Sequence, residues 1–126
     1  MKNERRFCKC NLCGNIISFI ENAGTDVSCC GEQMAEIKPN TTDAAVEKHI
    51  PVAVREGNKL IVTVGSVPHP MTAEHHIAWI VVAYDGRTQW IALPPTQAPS
   101  VDFMVSDSPV TVYAYCNLHG LWVAEL

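Results

Sequence analysis

The sequence predicts an all-β chain, in which a very small domain at residues 1–37 precedes an antiparallel β-sandwich of immunoglobulin type at residues 38–126. Three observations lead to this fold class. The chain has 126 residues, enough for one ordinary domain and a very small one. Five of its six cysteines fall between Cys8 and Cys30. From His49 onward, short β-branched runs alternate with turn residues, a pattern typical of a sandwich.

The first domain needs a staple, because fewer than about 40 residues bury too little apolar surface to fold alone. Cys10 and Cys13 form a C-x-x-C knuckle, in which two sulfurs of one tight turn bind the same ion. Cys29 and Cys30 can share that ion only if the chain turns between them, and Gly31 permits the turn. The four sulfurs therefore predict an S4 site for zinc or a single iron, with a tetrahedron distorted by the turn.

Other residues of the first domain have simpler predicted roles. Cys8 shares a face with Cys10 in an extended segment and could compete as a ligand, but we expect a half-buried, unligated thiol. Residues 16–20 predict a short strand and residues 22–26 a turn. The alternative to a metal is a pair of disulfides, which a reducing compartment disfavours.

Charge and hydropathy narrow the class of protein. Four of the first six residues are charged and the segment leads into no long apolar run, so we expect no signal peptide. The longest apolar run, residues 77–84, is far shorter than the roughly 20 residues that cross a bilayer. A cytoplasmic protein is expected. The net charge of −4, without any basic run, argues against nucleic-acid and anionic-membrane partners.

The domain boundary is predicted at residues 38–43, which are polar and contain a proline. Residues 43–48 predict one helical turn led by a Thr or Asp cap. This turn delivers Glu47, Lys48 and His49 in a row.

Seven short strands are predicted in the second domain. Gly57-Asn58 and Asp85-Gly86 mark hairpins, and Pro94-Pro95 and Ser108-Pro109 mark loops. The predicted strands are residues 51–55, 59–64, 76–84, 88–93, 101–105, 110–116 and 121–124.

A second metal site is predicted around Cys116. His119 lies three residues later, at a strand-to-turn junction, so thiolate and imidazole can reach one ion. Strand alternation places Cys116 on the apolar face of residues 110–116. A buried structural cysteine is the alternative, but the neighbouring histidine makes a ligand the better interpretation.

Upstream histidines complete the predicted site. His69 is held extended between two prolines, so its imidazole is positioned at little entropic cost. His49 lies at a strand entrance. Alternation does not choose between His75 and His76, because both faces of the strand that follows are apolar.

These residues together resemble one family, the desulfoferrodoxins, over nearly the whole chain. The first domain resembles desulforedoxin through its four cysteines. The second resembles neelaredoxin, the one-domain superoxide reductase. The matching residues are Glu47-Lys48-His49, Val64-Gly65-Ser66-Val67-Pro68-His69-Pro70-Met71, His75, and Cys116-Asn117-Leu118-His119-Gly120 with Trp122.

The resemblance implies a superoxide reductase with a mononuclear ferrous site. Its ligands would be four equatorial imidazoles, from His49, His69, His75 and His119, and an axial Cys116 thiolate, with the sixth position open to superoxide. His75 is thereby preferred over His76. The family's S4 site binds iron, with zinc possible in heterologous preparations.

The resemblance also implies roles around the iron. Glu47 would occupy the open position in the oxidised resting state, and Lys48 would attract superoxide and help to deliver a proton through water. Without that role, the two side chains would be an exposed ion pair of little energetic value. A rubredoxin-like electron donor and a homodimer formed by strand pairing are expected.

Two other classes of protein compete with this hypothesis. A blue-copper electron carrier also combines cysteine and histidine on a β-sandwich, but it usually has a Met shortly after the His, and no Met follows Met104. A structural zinc protein would explain the first domain well and the second poorly.

Overall fold

The computed structural model describes residues 3–126, which form short antiparallel strands and one four-residue helix. Met1 and Lys2, with which the predicted first domain begins, lie outside the described residues. The strands are grouped into two units. One is Glu4–Lys38, and the other comprises Pro39–Leu126 together with Asn3. Within residues 3–126, no helix is long and apolar enough to cross a membrane.

The Glu4–Lys38 unit contains two small sheets. Strands β1, β2 and β5 make an antiparallel sheet in the order β2-β1-β5, while β3 pairs with β4. The strands are β1 (Phe7–Lys9), β2 (Ile16–Ser18), β3 (Ser28–Cys29), β4 (Glu32–Gln33) and β5 (Ala35–Glu36).

The apolar core of this unit is very small. Its buried cluster consists of Cys8, Cys10 and Met34. Cys8 is only 1% exposed, so the expectation of a half-buried thiol is wrong, because its side chain points into this cluster rather than to the edge of the sheet.

The predicted turn at Cys30 and Gly31 is confirmed. These two residues join β3 to β4, and both have positive φ, 53° and 76°. Two consecutive positive φ values define a type I′ hairpin turn. This turn bends the chain directly after Cys29.

The second unit is the predicted seven-stranded sandwich, and the all-β fold class is confirmed. Three strands form one antiparallel sheet in the order β10-β7-β6, and four form the other in the order β12-β11-β8-β9. The strands are β6 (Pro51–Glu56), β7 (Lys59–Val64), β8 (Ile77–Tyr84), β9 (Arg87–Ala92), β10 (Ser100–Met104), β11 (Thr111–Cys116) and β12 (Gly120–Glu125).

The core lies between these two sheets. Alternate residues of β7, β8 and β11 are fully buried in a single cluster: Leu60, Val62, Val64, Ile80, Val82, Val112 and Ala114. Burying each of the larger aliphatic side chains stabilises the fold by about 1.5–3 kcal/mol. Cys116 belongs to the same cluster and is 0% exposed, as the alternation of β11 predicts.

Helix α1 (Val46–His49) is held by contacts outside the helix. Its N-cap is Ala45, which makes no side-chain cap hydrogen bond, so the predicted Thr or Asp cap is wrong. The backbone N–H of Val67 and the hydroxyl of Ser66 both donate to the Glu47 carbonyl oxygen, at 3.0 and 3.3 Å. A four-residue helix depends on such contacts because it is too short to be stable by itself.

Candidate metal centres

Four histidine rings lie at the corners of a square near one end of the sandwich. The centroid of the His49 ring is 4.7 Å from that of His69 and 5.0 Å from that of His119, and the His75 ring lies at the same two distances from them. The diagonal from His49 to His75 is 6.4 Å. Neighbouring rings are nearly perpendicular, at 77° to 87°, so four imidazole edges converge.

The spacing of the ring nitrogens suits a single ion. The Nε2 atom of His49 is 3.1 Å from Nε2 of His69 and 3.2 Å from Nδ1 of His119. Two nitrogens that each lie about 2.1 Å from a metal, at right angles, are about 3.0 Å apart.

Hydrogen bonds on the far side of two rings fix which nitrogen is free to bind a metal. The Nδ1–H group of His49 donates to the Ala45 carbonyl, and that of His69 donates to the Pro70 carbonyl, both at 2.7 Å. In a neutral imidazole the other nitrogen, Nε2, then carries only a lone pair. The two Nε2 atoms therefore face each other as acceptors, and a cation between them removes the repulsion.

Cys116 adds a sulfur to this group. The ligand atoms of His49, His75, Cys116 and His119 all lie within 4.8 Å of one another. The Cys116 sulfur is 3.8 Å from Nδ1 of His119. His69 joins the group through its ring contacts with His49 and His75.

An orphaned nitrogen tests whether these residues fit a metal. Nε2 of His75 is buried and has no hydrogen-bond partner among the described residues. Buried polar atoms nearly always have a partner, so a ligand is the natural explanation. Imidazole nitrogens with one thiolate are a suitable donor set for a first-row transition metal, and the residues fit such an ion.

His76 lies outside the square. Its Nδ1–H group donates to the Thr72 carbonyl at 2.9 Å, and its backbone N–H donates to the side chain of Asn117. The structure therefore brings His75, and not His76, to the other three rings.

Burial controls protonation at the site. Desolvation lowers the pKa of His49 and of His75, and it lowers the pKa of His69 to about 4. These rings are neutral at pH 7 and can accept a metal at once. Desolvation raises the pKa of the Cys116 thiol, although the backbone N–H groups of Leu118 and His119 donate to its sulfur and partly offset the rise.

Glu47 and Lys48 lie on α1, directly before His49. Glu47 is exposed and Lys48 is half-buried. After burial, smaller effects on the pKa of His49 come from the charges of Glu47, which raises it, and Lys48, which lowers it. Lys48 also lowers the pKa of His75, again less than burial does. The ammonium group of Lys48 therefore adds positive potential at the rings of His49 and His75.

Three residues support the square in ways that the sequence did not predict. The Trp122 ring stacks on His49, with centroids 4.8 Å apart, and its Nε1–H donates to the His119 carbonyl at 3.1 Å. Gly65 packs its backbone against that of Lys48. Asn117 bonds to the loop that carries His75. All three lie within the motifs that contain the metal ligands, which indicated that they are near the site. The sequence alone did not show which residues they contact.

The four cysteines of the first unit form a separate cluster. The sulfurs of Cys10, Cys13, Cys29 and Cys30 lie within 4.8 Å of one another, and all are free thiols. Cys29 sulfur is 3.7 Å from Cys13 sulfur and 3.9 Å from Cys30 sulfur. In a tetrahedral site with metal–sulfur distances of about 2.3 Å, sulfurs are about 3.8 Å apart, whereas a disulfide requires about 2.05 Å.

Without a metal, the four sulfurs cannot all be ionised. Backbone N–H groups of Cys13 and Leu12 lower the pKa of Cys10 to about 6. Interactions with the sulfurs of Cys13, Cys10 and Cys29 raise the pKa of Cys30 to about 12. The knuckle thus stabilises one thiolate, and the neighbouring sulfurs disfavour ionisation of a further thiol. A cation is therefore needed to keep all four cysteines ionised.

Comparison with known proteins identifies the family. The desulfoferrodoxin family model matches residues 41–125, and the model of the desulfoferrodoxin N-terminal domain matches residues 2–37. The chain is 44% identical to the desulfoferrodoxin of Nitratidesulfovibrio vulgaris over 125 residues, 99% of each chain. It is 46% identical to a desulfoferrodoxin homolog of Archaeoglobus fulgidus over 114 residues, 90% of this chain and 91% of the relative.

A solved structure is also similar over almost the full length. The crystal structure of the superoxide reductase from Treponema pallidum shares 40% sequence identity and a TM-score of 0.79, and the match covers 96% of this chain and 98% of that chain. The family models together span both units, and the relatives match 90% or more of the chain. The chain belongs to the desulfoferrodoxin family.

Proposed function

We propose that this chain is a superoxide reductase, which reduces superoxide to hydrogen peroxide by one electron and two protons. The observation that carries the proposal is the square of four imidazole rings with the buried Cys116 sulfur beside it. Relatives named superoxide reductase support it. One, from Pyrococcus horikoshii, is 39% identical over 99 residues, 64% of this chain and 86% of the relative.

The proposed ligands of the catalytic iron are His49, His69, His75, His119 and Cys116. A bound ferrous ion would supply the electron for superoxide and a positive charge that attracts it. The carbonyls of Ala45 and Pro70 hold two of the rings in the tautomer that leaves Nε2 free. The N–H groups at Leu118 and His119 stabilise the Cys116 thiolate.

Glu47 and Lys48 are the proposed catalytic residues. With a net charge of −4, the chain repels an anion overall, so a local positive field must reverse that effect. Lys48 is half-buried next to the square, where it attracts superoxide and donates a proton through water. Glu47, two residues before His49 in sequence, would be a further ligand for the iron in the oxidised resting state.

The four-cysteine site is proposed as a second iron site, formed by Cys10, Cys13, Cys29 and Cys30. The metal would stabilise the domain at residues 1–37, whose own apolar core is too small to do so. The enzyme domain follows at residues 38–126. Zinc suits the same four sulfurs in heterologous preparations.

The proposed partners follow from the reaction and from the open strand edges. A small redox protein such as a rubredoxin supplies the electron. Strands β2 and β5 are the edges of the first sheet, and pairing of such edges between two chains would form a homodimer. Six free thiols suit a reducing compartment, which we take to be the cytoplasm.

The stoichiometry of the reaction tests the proposal. With superoxide in excess and a continuous supply of reductant, a reductase yields one hydrogen peroxide for each superoxide consumed and releases no oxygen. A dismutase yields half as much peroxide, with oxygen. Measured oxygen release in that ratio, or no superoxide consumption by the iron-loaded chain, would overturn the assignment.

A further inference from the structure

We propose that Asn117 is a positioning residue, which fixes His75 relative to Cys116 and His119. The inference rests on the proposed metal site and adds a residue that touches neither metal nor substrate. Asn117 follows Cys116 directly, so it moves with the sulfur and with His119. It is half-buried in the turn between β11 and β12.

Three hydrogen bonds connect Asn117 to the segment around His75. Its Nδ2 group donates to the Glu74 carbonyl at 2.9 Å, and its Oδ1 atom accepts from the His76 backbone N–H at 2.8 Å. Its own backbone N–H donates to the His76 carbonyl at 3.1 Å. The side chain thus binds the residues immediately before and after His75.

His75 depends on such a connection more than His49 and His69 do. The rings of His49 and His69 are each held by a carbonyl at Nδ1. Neither ring nitrogen of His75 makes a hydrogen bond within residues 3–126, and its Nε2 is buried. The direction of that ring is therefore set through its backbone.

The local turn around His75 does not place it in the site. The backbone N–H of His75 donates to the Thr72 hydroxyl at 3.1 Å, and the Thr72 N–H donates to the His75 carbonyl at 2.9 Å. These bonds shape the turn but attach it only to itself. The pairing of β8 with β11 ends at Ile77 and Cys116, and Asn117 extends the connection past that end to the residues on both sides of His75.

The test compares iron binding in Asn117→Ala with that in the unaltered chain. The variant loses both side-chain hydrogen bonds while Cys116 and all four histidines remain. Loss of a contact that orients a ligand typically weakens metal binding by about 10- to 100-fold. The measurement is the apparent iron affinity of the His/Cys site in competition with a chelator, followed through the thiolate-to-iron band that Cys116→Ser abolishes.

Asn40→Gly is the matched control. The Asn40 side chain also makes two hydrogen bonds, with the N–H and the carbonyl of Val123 in the same unit. Glycine tolerates the backbone φ of 60° at this position. We expect the control to lose stability without changing the iron affinity, and Asn117→Ala to alter both the affinity and the ferric electron paramagnetic resonance spectrum.

Each outcome decides the inference. Weakened affinity with an altered spectrum in Asn117→Ala, but not in Asn40→Gly, supports it. Equal affinity and an identical spectrum in Asn117→Ala overturn it while the proposed function stands. If the unaltered chain has no band that Cys116→Ser removes, the proposed function fails and this inference fails with it. Should Asn117→Ala not fold, Asn117→Asp, which keeps the acceptor and loses the donor, is judged by the same criteria.

Discussion

At His49 and His69, the position of one proton decides what the site can bind. The Nδ1–H group of each ring donates to a backbone carbonyl, and the two Nε2 atoms, each with a lone pair, are 3.1 Å apart. Two neutral acceptors at that distance repel each other unless a cation lies between them. This arrangement is stronger support for a metal than the presence of histidines, because histidines packed for stability alone would use such nitrogens as hydrogen-bond partners.

Removing the charge of Lys48 should slow the enzyme and reduce its salt dependence. We expect Lys48→Ala to lower the rate of superoxide reduction by about two- to tenfold at low ionic strength, because the local field attracts the anion. The measurement is the second-order rate constant over a range of salt concentrations.

Lys59→Ala is the control for this prediction. The Lys59 ammonium nitrogen is 3.4 Å from a carboxylate oxygen of Asp102. Lys59 is the first residue of β7, whereas Gly65, which packs against Lys48, follows the last residue of that strand. The control removes the same charge from the chain without removing it from the site. If both variants show the same rate and salt response, Lys48 has no steering role.

Metal binding at the His/Cys site should strengthen as the pH rises, because the Cys116 thiol must lose its proton to bind. Burial raises the pKa of Cys116 and lowers the pKa of His49, His69 and His75. Near neutral pH these three rings have no proton to lose, and the thiol must release one to bind. The apparent affinity should therefore rise about tenfold per pH unit between about pH 7 and pH 8.5. A flat titration of the charge-transfer band would show that the thiol is already ionised.

The position of a single side chain could be predicted from the sequence where a local pattern determined it. Alternation in β11 predicted that Cys116 points into the core, and it is fully buried there. Alternation could not separate His75 from His76, because that choice depends on the turn held by Thr72 and Asn117, far apart in sequence. The burial of Cys8 could not be predicted for a similar reason, since it depends on Met34, which lies between β4 and β5.

Among the elements, α1 and the turn after β7 act as one support for His49. Gly65, at φ 84°, lies so close to α1 that an added Cβ would be 2.5 Å from the Val67 oxygen and 2.7 Å from the Lys48 oxygen. Both are backbone atoms, which cannot move aside without moving the turn or the helix. The helix that carries the proposed catalytic residues is thus positioned by a glycine in the loop that leads to His69.

Gly65→Ala should therefore damage both stability and metal binding. We expect a loss of about 2–4 kcal/mol in the free energy of unfolding, because strain and a backbone clash add together. The control is Gly86→Ala, where φ is 68° but an added Cβ would meet nothing within 4 Å. That variant should lose only about 1 kcal/mol. Equal losses in denaturant titrations of the two variants would contradict the close packing at Gly65.

Strands were easier to predict than the helix. Seven β-branched runs between turn residues gave the seven strands of the sandwich to within about one residue at most ends, because alternation and turn chemistry are local. The start of α1 was missed, since no local cap exists and its anchors, Ser66 and Val67, come from another loop. Tertiary contacts of this kind leave no local signal.

Across the whole molecule, the two units differ in what stabilises them. The sandwich has an extensive apolar core, whereas the buried cluster of Glu4–Lys38 has three residues, Cys8, Cys10 and Met34, with a few partly buried residues packed against it. The smaller unit therefore depends on its four-cysteine site, and the larger one can fold around its own core.

A chelator strong enough to empty the four-cysteine site should unfold only the smaller unit. Amide hydrogen exchange should lose protection in β1 and β2 and keep it in β8 and β11. All three tryptophans, Trp79, Trp90 and Trp122, lie in the sandwich, so tryptophan fluorescence should change little from loss of the first unit. Loss of protection in β8 and β11 together with β1 would mean that the two units do not fold independently.

The central claim is that Cys116 and four imidazoles hold one iron at the end of the sandwich. Its most direct test is metal analysis with visible spectroscopy of the anaerobically prepared chain, compared with Cys116→Ser. We predict two metal ions per chain, with iron at the His/Cys site and a thiolate-to-iron band that is lost in the variant while the four-cysteine spectrum persists. Copper or zinc as the only metal, or an identical spectrum in Cys116→Ser, would contradict the claim.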